Sequence, residues 1–328
     1  MIWRRGIKGE SDPNLEDRVN DLLGQARTAG ARGDLDRQIR FTAEAMDVCR
    51  ILVSRWPHDA RHVGALAGGL YNYSYRLLQA GRFDEAHAVL AESGRHYAAL
   101  AAADPNEYAT SLVDVKLRVM LAFTMNGQYG YAVNQGREVL AGYEAIAGGD
   151  RLERAFGLVR TRTLLGRALL LAGQADSALT QFDAALFAAE ELREAEGIAG
   201  TDFTWLATAP NSFRLAAPEW LGAAVGAMEL HDAAGKWGVA GDAANIAMRV
   251  AGGLAAIGDA TAEARFEAIM ARAQEIWRSA ENPVQAAAER AGPLDEVMVG
   301  GTGLVRGPHL EPDLARISRL AGWGPVPR

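Results

Sequence analysis

The chain of 328 residues has a single cysteine, Cys49, and only three lysines, Lys8, Lys116 and Lys236. One thiol excludes an intramolecular disulfide and any multi-cysteine metal site. Cys49 lies in Ala45-Met46-Asp47-Val48-Cys49-Arg50-Ile51-Leu52 and is expected to act as a small buried hydrophobe. The near-absence of lysine, beside abundant alanine and glycine, points to a GC-rich bacterial source. No run of about 18 apolar residues occurs, and none follows the basic start Met1-Ile2-Trp3-Arg4-Arg5-Gly6, so neither a membrane span nor a leader is expected. The expected location is the cytoplasm, with no membrane partner. A formal net charge of -7 and a pI near 5.5 supply no overall basic field, which argues against nucleic acid as a partner. Gly-x-Ser-x-Gly, a phosphate loop ending in Gly-Lys-Ser/Thr and His-Glu-x-x-His are all missing. Neither a catalytic group, a cofactor nor a metal site is expected.

What the chain does have is a period. Gly33, Gly81, Gly127 and Gly173 stand at intervals of 48, 46 and 46 residues, each in a short polar break between stretches of helical apolar spacing. A period of this size marks an array in which a helical hairpin cannot bury its apolar face alone and must stack on its neighbours. Leu66-Leu70-Tyr73-Leu77 precedes Gly81 and Phe83-Ala86-Val89-Leu90 follows it, both at helix-face intervals. Leu112-Val115-Val119-Phe123 precedes Gly127, and Leu158-Arg162-Leu165-Leu169 precedes Gly173. Glycine suits such breaks because it takes the left-handed geometry of a helix end without steric cost.

Leu165-Gly166, Leu169, Gly173, Ala178 and Phe182 resemble a tetratricopeptide repeat, which pairs Leu-Gly in its first helix with Ala-x-x-x-Phe in its second. Gly81, Phe83, Ala86 and Leu90, and then Gly127, Tyr129 and Ala132, keep parts of that pattern, while Gly136 and Arg162 depart from it. The family repeat is about 34 residues, so each helix here has gained about two turns. A seven-residue extension holds the apolar stripe within about 20° of register, and longer hairpins can stack in the same way. The likeness covers roughly residues 18 to 195 and is to the bacterial members with lengthened hairpins. It implies an all-α fold, a right-handed α-solenoid of antiparallel helical hairpins.

The expected organisation is an N-terminal extension over 1–17, a repeat domain over 18–280 and a Gly/Pro-rich tail over 281–328. Pro57 and Pro105 are expected to end second helices. Within the repeat domain, 197–218 reads as an irregular connection, followed by a fifth hairpin with Trp220, Gly235 and Trp237 and a helix over about 261–280. The tail holds six of the eleven prolines and a short helical stretch around Asp313 to Leu320, expected to lie on the array or on a neighbouring copy.

His58 and His62 are four apart, a spacing able to place two imidazoles on one helix face, yet no third ligand accompanies them and they are expected to be solvated beside a helix start. Val297-Met298-Val299-Gly300-Gly301-Thr302-Gly303 resembles a dinucleotide turn, but only 25 residues follow it, too few for the helix and parallel strand it needs. Asp84, Glu85 and Asp176 fall just after turn glycines, where they complement a helix N-terminus.

The resemblance further implies that first helices line a concave groove that binds a peptide or a partner helix. Counted back from each turn glycine, the groove positions are Tyr71, Asn72, Tyr75 and Gln79, then Asp114, Arg118 and Leu121, then Arg160, Thr163 and Arg167. Tyr71 and Tyr75 share a face, and arginine beside tyrosine and asparagine is suited to holding a carboxylate or an acidic segment. Asn72 and Arg118 resemble part of a carboxylate clamp, although Asp114 stands where a cation would help. The expected function is a non-enzymatic scaffold or adaptor for a protein or peptide, with a homo-oligomer as one form of that. The alternatives are a small-molecule sensor, with Trp205, Trp220, Trp237 and Trp323 walling its pocket, and an all-helical enzyme.

Overall fold

The computed structural model describes residues 12–146, 151–198, 205–209, 211–283, 285–286, 289 and 311–323, and the regular structure among them is helical throughout. The chain divides into two compact units, Met1–Gly149 and Asp150–Arg328. The division falls after the third hairpin.

The first unit holds α1 (Pro13–Ala31), α2 (Leu35–Arg55), α3 (Ala60–Gln79), α4 (Phe83–Ala103), α5 (Pro105–Met125) and α6 (Tyr129–Ala145), each packed on the next. Helix α1 starts inside the expected N-terminal extension, because Asp12 caps it by accepting from Leu15 N and Pro13 occupies the first turn. Gly33, Gly81 and Gly127 have φ of 73, 71 and 73°, the left-handed conformation that the breaks require. The residue after each donates back five positions, Arg82 N to Leu77 O at 2.9 Å for instance, which satisfies a carbonyl left open at the helix end.

Leu66, Leu70, Tyr73 and Leu77 are buried in one cluster with Val19, Met46, Leu52, Leu90 and Val115. Each such side chain taken from water contributes about 1.5–3 kcal/mol. In the α5 stripe only Val115 is buried, whereas Leu112, Val119 and Phe123 are half-buried. Pro57 lies in the turn just beyond the end of α2, and Pro105 follows the end of α4, as expected of prolines that stop second helices, and also opens α5. Asp104 alone separates α4 from α5. Its N–H bonds Leu100 O at 2.8 Å to close one helix, and its carboxylate accepts from Glu107 N at 3.2 Å to open the other.

The second unit holds α7 (Arg151–Leu171), α8 (Ala175–Ala195), α9 (Trp205–Thr208), α10 (Asn211–Ala233), α11 (Trp237–Ala256), α12 (Ala260–Glu281) and α13 (Leu314–Ala321). The expected irregular connection is therefore shorter, since α10 begins at Asn211 and runs through Pro218. Proline removes one backbone donor there. Phe213, Ala216, Ala217, Trp220 and Leu221 are all buried, and that apolar face holds the helix across the break. Helix α10 packs on α7, α8 and α11.

Phe182 explains the pattern read in Leu165-Gly166 and Ala178-x-x-x-Phe182. Its ring is fully buried, and a Cβ added at Gly166 of α7 or at Gly226 of α10 would come within 2.6 Å of it. Both helices can close over the ring only because neither carries a side chain at that point.

Helix α13 matches the stretch expected near Asp313 to Leu320. Asp313 caps it by accepting from Arg316 N, and Gly322, with φ 71°, ends it. It packs on α10 and α12, so this part of the tail lies on its own unit.

Candidate functional site

In the first unit α3 and α5 open consecutive hairpins, with α4 packed against both. A cavity of about 530 Å³ lies along them, lined by Gly64, Gly68 and Asn72 of α3, Tyr97 of α4, and Tyr108 and Ser111 of α5. Four-residue spacing places Gly64, Gly68 and Asn72 on one face of α3. The glycines keep that face low. A Cβ at Gly68 would stand 3.2 Å from Tyr97 Oη, and one at Gly64 would stand 3.9 Å from Leu100 Cδ1.

Burial raises the Tyr97 hydroxyl above its ordinary pKa and outweighs the lowering effect of its Ser111 hydrogen bond, so the group stays protonated at neutral pH. The Tyr97 and Tyr108 rings lie 6.5 Å apart at 40°. At the start of α3, Arg61 Nη2 bonds the Asp59 carboxylate at 2.7 Å and holds it below the usual aspartate range, chiefly through that hydrogen bond. The cavity therefore offers aromatic flanks, an exposed amide and a phenol donor.

Farther along α3, the Arg118 guanidinium lies 4.6 Å over the Tyr71 ring and 4.9 Å over the Tyr75 ring, and its Nη2 donates to Tyr71 Oη at 2.9 Å. Cation–π contacts of this exposure contribute about 0.5–1 kcal/mol each. Tyr71 is half-buried and Tyr75 is 39% exposed. Tyr71, Tyr75 and Arg118 are thus brought together, and Asn72 lines the cavity. Gln79 is exposed and accepts from Arg76 Nη1 at 2.9 Å, apart from that group. Asp114 is taken by a short hydrogen bond from the Tyr143 hydroxyl of α6, and Leu121 packs against the core.

The three remaining positions belong to the second unit and are engaged there. Arg160 faces Glu219 at 3.4 Å. Thr163 is buried and donates to Val159 O at 2.9 Å. Arg167, 7% exposed, donates from Nη2 to Trp323 O at 2.8 Å and lies 5.4 Å over the Trp323 ring.

Three of the four tryptophans occupy different environments rather than one pocket: Trp220 is fully buried in α10, Trp237 packs near Ala280 and Ala286, and Trp323 stacks on Phe182 at 5.9 Å. The Trp205 side chain and Val297–Gly303 lie outside the described residues. His58 is exposed as expected, but His62 is buried, with Nε2 3.3 Å from Glu16 Oε1 and its ring 5.3 Å from Trp56. A contact between hairpins, not solvent, surrounds that imidazole. Among the described residues no group of three or more His, Cys, Asp or Glu is placed to hold a metal ion. Burial pushes the Cys49 thiol up to about 12, which leaves it unreactive at neutral pH. No helix among them is long and apolar enough to cross a membrane.

Counting from turn glycines does not find Gly64, Gly68, Tyr97 or Tyr108. The two glycines four apart and in phase with Asn72 are the signal that could have found the floor of the cavity.

No protein-family model and no curated protein matches the chain. Among solved structures it is similar to a Podosopora anserina putative kinesin light chain with nearly identical TPR-like repeats, at 14% identity and a TM-score of 0.46, covering 74% of this chain and 98% of that one. A variant of the same protein gives 0.49 at 14% identity, covering 74% and 97%. BtubC (BKLC) from P. vanneervenii gives 0.42 at 14% identity, covering 76% and 92%. In this chain left-handed glycines turn the hairpins, and Phe182 is seated between Gly166 and Gly226.

Proposed function

We propose that the protein is a non-enzymatic interaction scaffold and that the α3–α5 groove of its first unit takes an extended peptide. The supporting observation is the cavity of about 530 Å³ whose floor is cleared by Gly64 and Gly68 and whose walls present Asn72, Tyr97 and Tyr108. An extended backbone needs donors and acceptors along its length, and an exposed amide with phenol hydroxyls supplies both. The Tyr71–Tyr75–Arg118 group lies on the same pair of helices. Among the described residues its guanidinium makes one hydrogen bond, to Tyr71 Oη, which leaves further N–H donors for a carboxylate or an acidic side chain.

Selection of displayed peptides against the full chain tests this reading. Recovered peptides should be rich in Asp and Glu, and Arg118→Glu should weaken them by about tenfold or more. Gly68→Leu, which fills the floor below Asn72, should do the same irrespective of peptide charge. Failure to enrich any peptide, or binding that both substitutions leave unchanged, would reject the groove.

A further inference from the structure

We infer that the α7–α10–α12 face of the second unit is a docking surface for a two-turn amphipathic helix that brings an arginine and, seven residues later, a tryptophan, and that residues 311–323 occupy it as a built-in competitor. This site is separate from the α3–α5 groove and does not depend on it.

The anchors are discrete. Glu229 of α10 is 1% exposed, and its carboxylate accepts from Arg272 Nε at 2.8 Å on one side. On the other side it accepts from Arg316 of α13, through Nε at 2.9 Å and Nη2 at 2.6 Å. A carboxylate so deeply buried calls for cations around it, and the second one is delivered by the tail. Ile317 and Leu320 are buried beneath the same helix.

At the far end the surface holds a shaped slot for tryptophan. Trp323 stacks on Phe182 at 5.9 Å and 25°, with the Arg167 guanidinium over its ring. A Cβ at Gly222 would come within 2.8 Å of Trp323 Nε1, so this glycine makes room for the indole. Two arginines of the face then meet carbonyls at the end of the helix: Arg265 Nη1 bonds Ala321 O at 3.3 Å, and Arg167 Nη2 bonds Trp323 O at 2.8 Å. Cations at helix C-terminal carbonyls are favourable both as donors and against the dipole.

An isolated helix as short as Leu314–Ala321 is not stable in water, so its order comes from the surface it lies on. Short helices that fold onto a face through a charge and an aromatic anchor are typical of linear motifs in a groove. A partner helix with the same Arg-Ile-x-x-Leu-x-x-Trp pattern meets the same carboxylate, apolar strip and slot. The tail reduces its apparent affinity by the fraction of time that it is seated.

The test uses the full chain and a fluorescent peptide of residues 311–323. The double variant Ile317→Asp, Trp323→Ala should bind the peptide at least about tenfold more tightly than the unaltered chain does. Arg316→Glu in the peptide should remove that binding. Equal binding to both chains, or none to a double variant that keeps its helical circular dichroism, overturns the inference. If the double variant does not fold, hydrogen exchange on the unaltered chain decides: α13 amides exchanging far faster than α10 amides support a detachable helix, and equal rates overturn it. A dimer by light scattering that the double variant converts to monomers also overturns it, since the tail would then serve a second copy.

Discussion

Adding a methyl group at Gly166 or Gly226 places it 2.6 Å from the Phe182 ring, a distance that real Cβ atoms do not tolerate. Gly166→Ala and Gly226→Ala should each destabilise the second unit by about 1–3 kcal/mol, measured by denaturant unfolding. Gly238 provides the opposite sign. It is exposed in α11 with nothing within 4 Å of an added Cβ, so Gly238→Ala should stabilise by about 0.4–1 kcal/mol. Acid has its own residue-level target. Burial lowers the pKa of His87, with Asp84 partly opposing, and lowers that of His96. In both cases the folded state favours the neutral ring. Their contribution is complete above the ordinary histidine value of 6.5 and is lost as pH falls through the lowered folded values. The melting temperature should therefore drop between pH 7 and pH 5, and His87→Leu with His96→Leu should flatten that slope. Glu92 acts lower still. Its hydrogen bond to Arg50 depresses its pKa, so its contribution disappears only once the pH passes below the glutamate range.

The first four hairpins were legible because each turn needs a left-handed residue, and Gly33, Gly81, Gly127 and Gly173 supply one every 46 to 48 residues. The start of α10 was not legible. Pro218 reads locally as a breaker, and the burial of Phe213 and Trp220 against other helices outweighs it. The same contrast divides the candidate site. Tyr71, Asn72, Tyr75 and Arg118 were reached by counting back from Gly81 and Gly127, which selects corresponding places in α3 and α5. The engagement of Arg167 does not follow, because its partner Trp323 is 156 residues away and no local pattern links them. Between elements, Asp104 caps α5, and Asp104→Ala should cost about 1 kcal/mol. The loss should appear as faster hydrogen exchange in the first turn of α5.

For the whole chain, the net charge of -7 at neutral pH vanishes near pH 5.5, below the ordinary histidine value of 6.5 under which His87 and His96 begin to favour the unfolded chain. Self-repulsion is then weakest as apolar surface begins to open. Light scattering at constant protein concentration should rise toward pH 5.5 and fall again at pH 8, with the two-histidine variant scattering less. The single-residue junction at Asp104 sets a rule for how such a chain can grow. With no loop there to take up slack, one residue inserted within the first turn of α5 would rotate the rest of that helix by about 100° about its axis, turning Ser111 and Arg118 away from Asn72 and Tyr71. About seven residues added within a helix return its faces almost to phase. The candidate groove is therefore a geared assembly: it admits changes of helix length in steps close to a whole number of turns, seven residues being one such step, and a step that leaves the faces out of phase strips the mesh.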